Sequence, residues 1–176
     1  MEKTTAHAKT SLLGIALKPR RLEPMQLLET GALCQQAGLV GDSRGKPGPR
    51  QVTLMTLAAW QAACDQIGLD LPWTERRANL LVADLPLYQS AGSRIVIGDA
   101  VLEITGETDP CSRMTAVHPG LFDALAPDWR GGVCCRVLRG GPITLEMAVA
   151  LISEAQNPGL KCSLGQGEFA RWGAEI

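Results

Sequence analysis

The stretch EITGETDPCSRM, residues 103–114, runs from a strand-like segment through a glycine and an acidic turn to Pro110, Cys111 and Arg113. As a thiolate, cysteine is a nucleophile and a soft metal ligand, and a neighbouring cation lowers its pKa from about 8.5. A cysteine used for packing belongs inside a strand as a small hydrophobe. This one follows a proline, which fixes its own backbone and favours an extended residue before it. Cys111 is therefore the candidate catalytic thiol and metal ligand, with Arg113 as its cation; the alternative is an inert loop residue. His118 is a candidate base for Cys111 in a metal-free Cys–His enzyme, which would also need a third, orienting group.

Arginines form the second candidate set. Arg44, Arg50, Arg76, Arg77, Arg113, Arg130 and Arg136 flank predicted strand ends or lie in glycine-rich loops. Guanidinium groups match phosphate with two parallel hydrogen bonds. Strand ends meeting at one barrel mouth would turn them into an anion pocket. Arg50, Arg77 and Arg136 are predicted to face one cavity that also holds Cys111. The loop GLVGDSRG lacks the Gly-Lys-Ser/Thr ending of a Walker loop, and no segment follows the G-x-G-x-x-G pattern. The six cysteines include no C-x-x-C pair. Cys134 and Cys135 are adjacent and would project to opposite faces of a strand, which argues against a structural zinc site.

These residues must be held by a fold of short elements. The chain has 176 residues, enough for one domain with its own core, and its 19 glycines and 11 prolines indicate many tight turns. A net charge of −1 offers no general field for nucleic acid or anionic lipid, so neither is an expected partner. No run approaches the roughly twenty apolar residues of a membrane span. The first ten residues lack the apolar core of a signal peptide, so a cytoplasmic protein with reduced cysteines is expected.

Apolar alternation predicts strands over 11–18, 51–55, 79–83, 94–97, 101–105 and 133–138. Leu57, Trp60, Cys64 and Ile67 recur at helical spacing, which predicts a helix over 57–67 capped by Thr56 and ended by Gly68. The segment PGLFDALAPDW predicts a short helix led by proline. Residues 1–10 are expected to be disordered, 11–152 to form the domain, and 153–176 to be a loosely attached tail. The fold class is mainly β, barrel-like, with a few helices.

Four segments in order, GLVGDSRGKPGPRQVTLM, RRANLLV, GSRIVIGDAVLEITGETDPCSRM and RGGVCCRVLRGGPI, together resemble the MOSC domain, named for the C-terminal domain of molybdenum cofactor sulfurases. The resemblance spans roughly Ser11 to Ile152. It implies a β-barrel akin to the pyruvate kinase β-barrel domain. The family's cysteine falls on Cys111, which the resemblance implies carries sulfur as a persulfide or binds molybdenum of the molybdenum cofactor (molybdopterin). The family's GD-x-R and RQV fall on Gly41, Asp42, Arg44 and Arg50 to Val52. Its R-x-N falls on Arg77 to Asn79, and its C-R-V on Cys135, Arg136 and Val137. Asp42, Arg44, Arg50, Arg77, Asn79 and Arg136 are thereby implied to bind the anionic pterin cofactor, with Asn79 at the pterin ring.

The resemblance further implies a molybdenum-dependent oxidoreductase for N-hydroxylated compounds, served by an electron-donor protein, or a non-catalytic module delivering cofactor or sulfur. These residues include no lysine-bearing aminotransferase-like domain, so sulfur would come from a separate pyridoxal-phosphate cysteine desulfurase. Where many relatives place Gly-Asp before a last strand, this chain has ITLEMAVAL, with Glu146 and Met147.

Overall fold

The computed structural model describes residues 8–153. Strands β1 (Ala8–Leu17), β2 (Gln26–Leu28), β3 (Thr30–Cys34) and β4 (Gly38–Leu39) come first. Then β5 (Val52–Thr56) leads directly into helix α1 (Leu57–Ile67), a 3-10 turn at Trp73–Arg76 and β6 (Leu80–Val82). The hairpin β7 (Arg94–Ile97) and β8 (Ala100–Glu107) precedes helices α2 (Ser112–Val117) and α3 (Leu121–Leu125). A 3-10 turn at Pro127–Trp129 leads to β9 (Val133–Arg139), β10 (Gly141–Thr144) and β11 (Ala148–Ile152).

Seven strands close into a barrel in the order β1, β11, β7, β8, β9, β5, β6 and back to β1. Only β5 and β6 run parallel, with Leu54 opposite Leu80, and α1 makes the crossover such a pair requires. β2 extends one end of β1, while β10, β3 and β4 form a separate three-stranded sheet. The mainly β expectation holds, and each predicted strand is present within a few residues. The helix over 57–67 is found as predicted: Thr56 Oγ1 accepts from the Ala59 N–H at 3.2 Å, and Gly68 closes it at φ 69°.

The differences come from long-range pairing. β1 starts at Ala8 rather than Ser11, because Ala8–Ser11 pair antiparallel with Leu151–Ala148 of β11. The unusual ITLEMAVAL segment supplies that closing strand: Glu146 turns the chain at φ 70°, and its N–H donates to the Leu12 carbonyl at 2.8 Å. The glycine-rich stretch ETGALCQQAGLVGDSRG, for which no strand was predicted, contains β3 and β4, whose Leu33 and Leu39 join the barrel core. Residues 1–7 and 154–176, on which the disordered start and most of the tail were placed, lie outside the described residues.

Two cores explain the two kinds of strand. The barrel interior is filled by side chains such as Leu12, Ile15, Leu54, Leu80, Ile95, Leu102 and Ile104. A second core lies outside the wall, where Met55 and Leu81 meet Trp60, Cys64, Met114 and Leu121. β6 is therefore buried on both faces and reads as an unbroken apolar run, β5 is buried except at Thr53, and β7 alternates buried and half-buried residues. Adjacent Cys134 and Cys135 do separate: Cys135 enters the barrel, where burial pushes its thiol pKa well up, and Cys134 faces outward. Among the described residues no helix is long and apolar enough to cross a membrane.

Leu102 is fully buried in this barrel. Leu102→Ala is expected to lower unfolding free energy by about 2–5 kcal/mol, measured by urea denaturation, because the closed wall cannot collapse onto the void.

Candidate functional site

A cavity of about 190 Å³ is lined by Arg44, Arg50, Arg76, Arg77 and Arg113 together with Cys111, Thr53, Ala78, Thr108, Met114 and Gly131. Five of its lining residues are arginines and none is acidic, so it is a pocket for an anion. It was expected at the barrel mouth, but it lies against the outer wall. Val52 and Leu54 point into the barrel core, so Thr53 between them points outward into the cavity. A barrel this narrow is filled by its own side chains, and the cavity lies outside that filled interior.

Cys111 is exposed at the cavity, in extended conformation (φ −126°, ψ 171°) immediately before α2. It ends the loop in which the sequence placed it and is the N-cap residue of α2, whose Met114, one turn on, is drawn into the outer core. Arg113 lines the same cavity from that turn.

Arg76 was named among the arginines but not selected as a binding residue. It ends the 3-10 turn and is only 7% exposed. Its Nε donates to the Gly131 carbonyl at 3.0 Å, and its Nη2 donates to the Thr108 and Asp109 carbonyls at 2.7 and 3.3 Å. Among the described residues no carboxylate forms an ion pair with it. Burial lowers its pKa, with the neighbouring Cys111 and Cys134 thiols opposing that shift and Arg50 adding to it. An arginine stays charged throughout. Gly131 permits this packing: a Cβ there would stand 2.5 Å from the Thr108 carbonyl oxygen and 3.0 Å from Arg76 Nη2. The doubled glycine before β9 was the sequence signal for it.

Arg44 is positioned from behind. The Asp42 carboxylate, 2% exposed at its side chain, accepts from the Arg44 backbone N–H at 2.7 Å and from Arg44 Nε and Nη2 at 3.1 and 3.0 Å. It also accepts from Lys18 N at 3.2 Å and Asn79 Nδ2 at 2.6 Å. Burial alone would raise the Asp42 pKa, but the Arg44 hydrogen bonds and charge and the Lys18 N–H more than offset it, so the carboxyl lies below its ordinary value. Arg44 Nη1 then reaches the Arg77 carbonyl at 3.0 Å. Arg77 itself adopts the left-handed conformation (φ 66°, ψ 28°).

Three residues expected to contact the cofactor are not among those that line the cavity. Asp42 does not line the cavity; its lone pairs are committed to Arg44, Lys18 and Asn79, and it acts by holding Arg44. Asn79 is 4% exposed and does not reach a ligand: Oδ1 accepts from Thr53 N and Oγ1, while Nδ2 donates to Ala16 O and Asp42 Oδ2. Arg136 does not join the cavity. It lies opposite Glu103 across the β8–β9 pair and binds that carboxylate at 3.1 and 2.9 Å, an exposed cross-strand ion pair. His118 does not line the cavity either; its Nδ1 accepts the Gly120 N–H at 3.1 Å in the turn after α2. Among the described residues no group of three or more His, Cys, Asp or Glu is placed to hold a metal ion.

Residues 48–150 match the family model of the MOSC domain. The fold is similar to that of the YuaD protein from Bacillus subtilis, with a TM-score of 0.70 and 18% identity over 84% of this chain and 98% of that one. It is also similar to YiiM from Geobacillus stearothermophilus (TM-score 0.67, 18% identity, 82% and 75% covered). YiiM from Escherichia coli gives 0.61 and 14% over 81% and 70%. No curated protein sequence matches at a significant level.

Two outcomes follow from the pocket's construction. Arg77→Gly relieves a left-handed strain of about 1–2 kcal/mol against a glycine entropy cost of about 0.5–1 kcal/mol. The variant is expected to be as stable as the parent or slightly more so by urea denaturation, while binding inorganic phosphate about tenfold more weakly by calorimetry. Asp42, with its folded pKa depressed, contributes stability that is present above the ordinary value of 3.8 and lost as pH falls through the lower folded value. The stability gap between the parent and Asp42→Asn, measured by denaturation across a pH series, should therefore be widest near neutrality and shrink on acidification.

Proposed function

This chain belongs to the MOSC domain family, and we propose that its arginine pocket binds an anionic group beside Cys111, whose thiolate carries sulfur or ligates the molybdenum of a pterin cofactor. The observation that supports this reading is the charge imbalance: five arginines and no acidic residue line the cavity with the exposed thiol, and of the five only Arg44 is in an ion pair among the described residues, while Asp109 and Glu107 act on Arg76 through charge alone. Arg76 is buried and Arg77 half-buried, and a desolvated cation is costly unless an anion completes it.

The residues fit a cofactor of that kind in a defined way. Cys111 is a soft donor, and among the described residues it belongs to no group of three or more His, Cys, Asp or Glu placed to hold a metal, so a metal here would bring ligands with it. Arg50, Arg76, Arg77 and Arg113 would hold a phosphate, while Asn79 is unavailable to the ring. Bound there, the cofactor would supply the two-electron reduction that N-hydroxylated compounds require, with a separate electron-donor protein as partner. The cavity of about 190 Å³ is smaller than the roughly 300 Å³ at which pockets enclose whole organic ligands, so the arginines serve an anionic end rather than a complete cofactor. That size favours the sulfur-carrying form of the reading, in which a persulfide anion on Cys111 is held by the same cations. In that form a separate cysteine desulfurase is one source of sulfur.

Elemental analysis and intact-mass spectrometry of protein purified from a molybdenum-sufficient host test the reading. The expected result is either stoichiometric molybdenum with a pterin or the mass of one added sulfur on Cys111, lost in a Cys111→Ser variant that keeps its thermal melt. Brief alkylation near neutral pH should label Cys111 faster than half-buried Cys34 or buried Cys64, Cys134 and Cys135. Loading that persists in the serine variant, or labelling of Cys111 no faster than Cys34, would overturn it.

A further inference from the structure

We infer that the sulfur donor for Cys111 is a small sulfane compound with an oxyanion head, of the thiosulfate or thiosulfonate class. This rests on the sulfur-carrying form of the reading above and names the substrate that form takes.

The support comes from what the pocket offers beyond a thiol. Arg76 is more than nine-tenths buried, and its Nε and Nη2 are committed to carbonyl oxygens. Its Nη1 has no hydrogen bond among the described residues, yet no buried side-chain nitrogen there lacks a partner. Nη1 is therefore open to the cavity that Arg76 lines. Arg50, Arg77 and Arg113 line the same space without an ion pair among the described residues. A protein persulfide donor would present no oxyanion, and before transfer the guanidinium groups around Cys111 would have only the terminal sulfur to bind. A sulfonate head fits them, and a cavity of about 190 Å³ accepts one tetrahedral oxyanion with its sulfane sulfur toward Cys111.

The step balances without an added oxidant. The Cys111 thiolate attacks the sulfane sulfur and forms a new S–S bond. The bond from that sulfur to the oxygen-bearing sulfur breaks, and its electron pair leaves on sulfite, or on sulfinate for a thiosulfonate. Cys111 is left as a persulfide anion, so the total charge is unchanged. Two anions must approach one another, and negative charge gathers on the departing oxyanion; the guanidinium groups lining the cavity, with Arg44 and Arg76 held in place by hydrogen bonds, lower both costs. A second nucleophile, a thiol or cyanide, then removes the outer sulfur and restores the thiolate; with cyanide the product is thiocyanate.

The test is incubation of the full chain with thiosulfate, reading sulfite release and added mass on Cys111, followed by cyanide and a thiocyanate assay. The parallel arm supplies cysteine and a pyridoxal-phosphate desulfurase in place of thiosulfate. Arg76 is left intact, since removing it strips buried carbonyls of their donor. Arg50→Gln and Arg77→Gln, each checked by thermal melt, should lower the second-order loading rate with thiosulfate about tenfold or more. Arg136→Gln, outside the cavity, should not change it, and sulfate should compete. Loading from the desulfurase but not from thiosulfate would overturn the donor class and leave the carrier reading intact. Loading from neither would overturn both. Thiosulfate loading that ignores Arg50→Gln, Arg77→Gln and sulfate would remove the arginines' role and with it this inference.

Discussion

The buried guanidinium of Arg76, bonded to three carbonyl oxygens and to no carboxylate among the described residues, is the constraint around which the site is organised. The carbonyl dipoles orient it beside the cavity that Cys111 also lines, with Asp109 and Glu107 acting on it through charge rather than through an ion pair. Those carbonyls come from the end of β8 and the approach to β9, so the same bonds that hold the charge also tie two barrel strands to the crossover between β5 and β6. Burying a cation costs several kcal/mol unless good geometry offsets it. Here the geometry depends on a glycine at 131, because any side chain would displace either the Thr108 carbonyl or the guanidinium.

A second network does for Arg44 what the carbonyls do for Arg76. Asp42 is neutralised by Arg44 and steadied by Lys18 and Asn79, and Asn79 is in turn bonded to β5 and β1. Gln51 stitches the same loop to the barrel, donating to the Gln35 and Gly45 carbonyls and accepting from the Val137 N–H. A long, glycine-rich connection is thereby held rigid, with its arginine facing the cavity. Polar side chains that are fully satisfied in this way specify one arrangement of the backbone. They are spent on structure, which is why Asp42 and Asn79 support the pocket without touching its contents.

Two-sided burial links the fold to the site. The β5–β6 pair carries barrel core on one face and the helical core on the other. The helical core pulls Met114 inward, and with it α2, so Cys111 is set at the helix entry beside the outer wall. The pocket occupies the gap left where that second core stops and the arginines begin.

The sequence by itself determined the elements and most of the chemistry. Alternation and capping located β5, α1, β7 and β8 because those signals are local. Proline before a lone cysteine, and arginines beside strand ends, marked Cys111, Arg113, Arg44, Arg50 and Arg77, all of which line the cavity. Only the tertiary structure decided which charges are free. Arg136 has the same local character as Arg77, but cross-strand register sets it opposite Glu103. Asp42 and Asn79 look like ligand contacts until the folded chain supplies partners for each of their polar atoms. Whether a charge is paired depends on residues distant in sequence, as does the pairing of β1 with β11 that closes the barrel. No pattern within one segment encodes either.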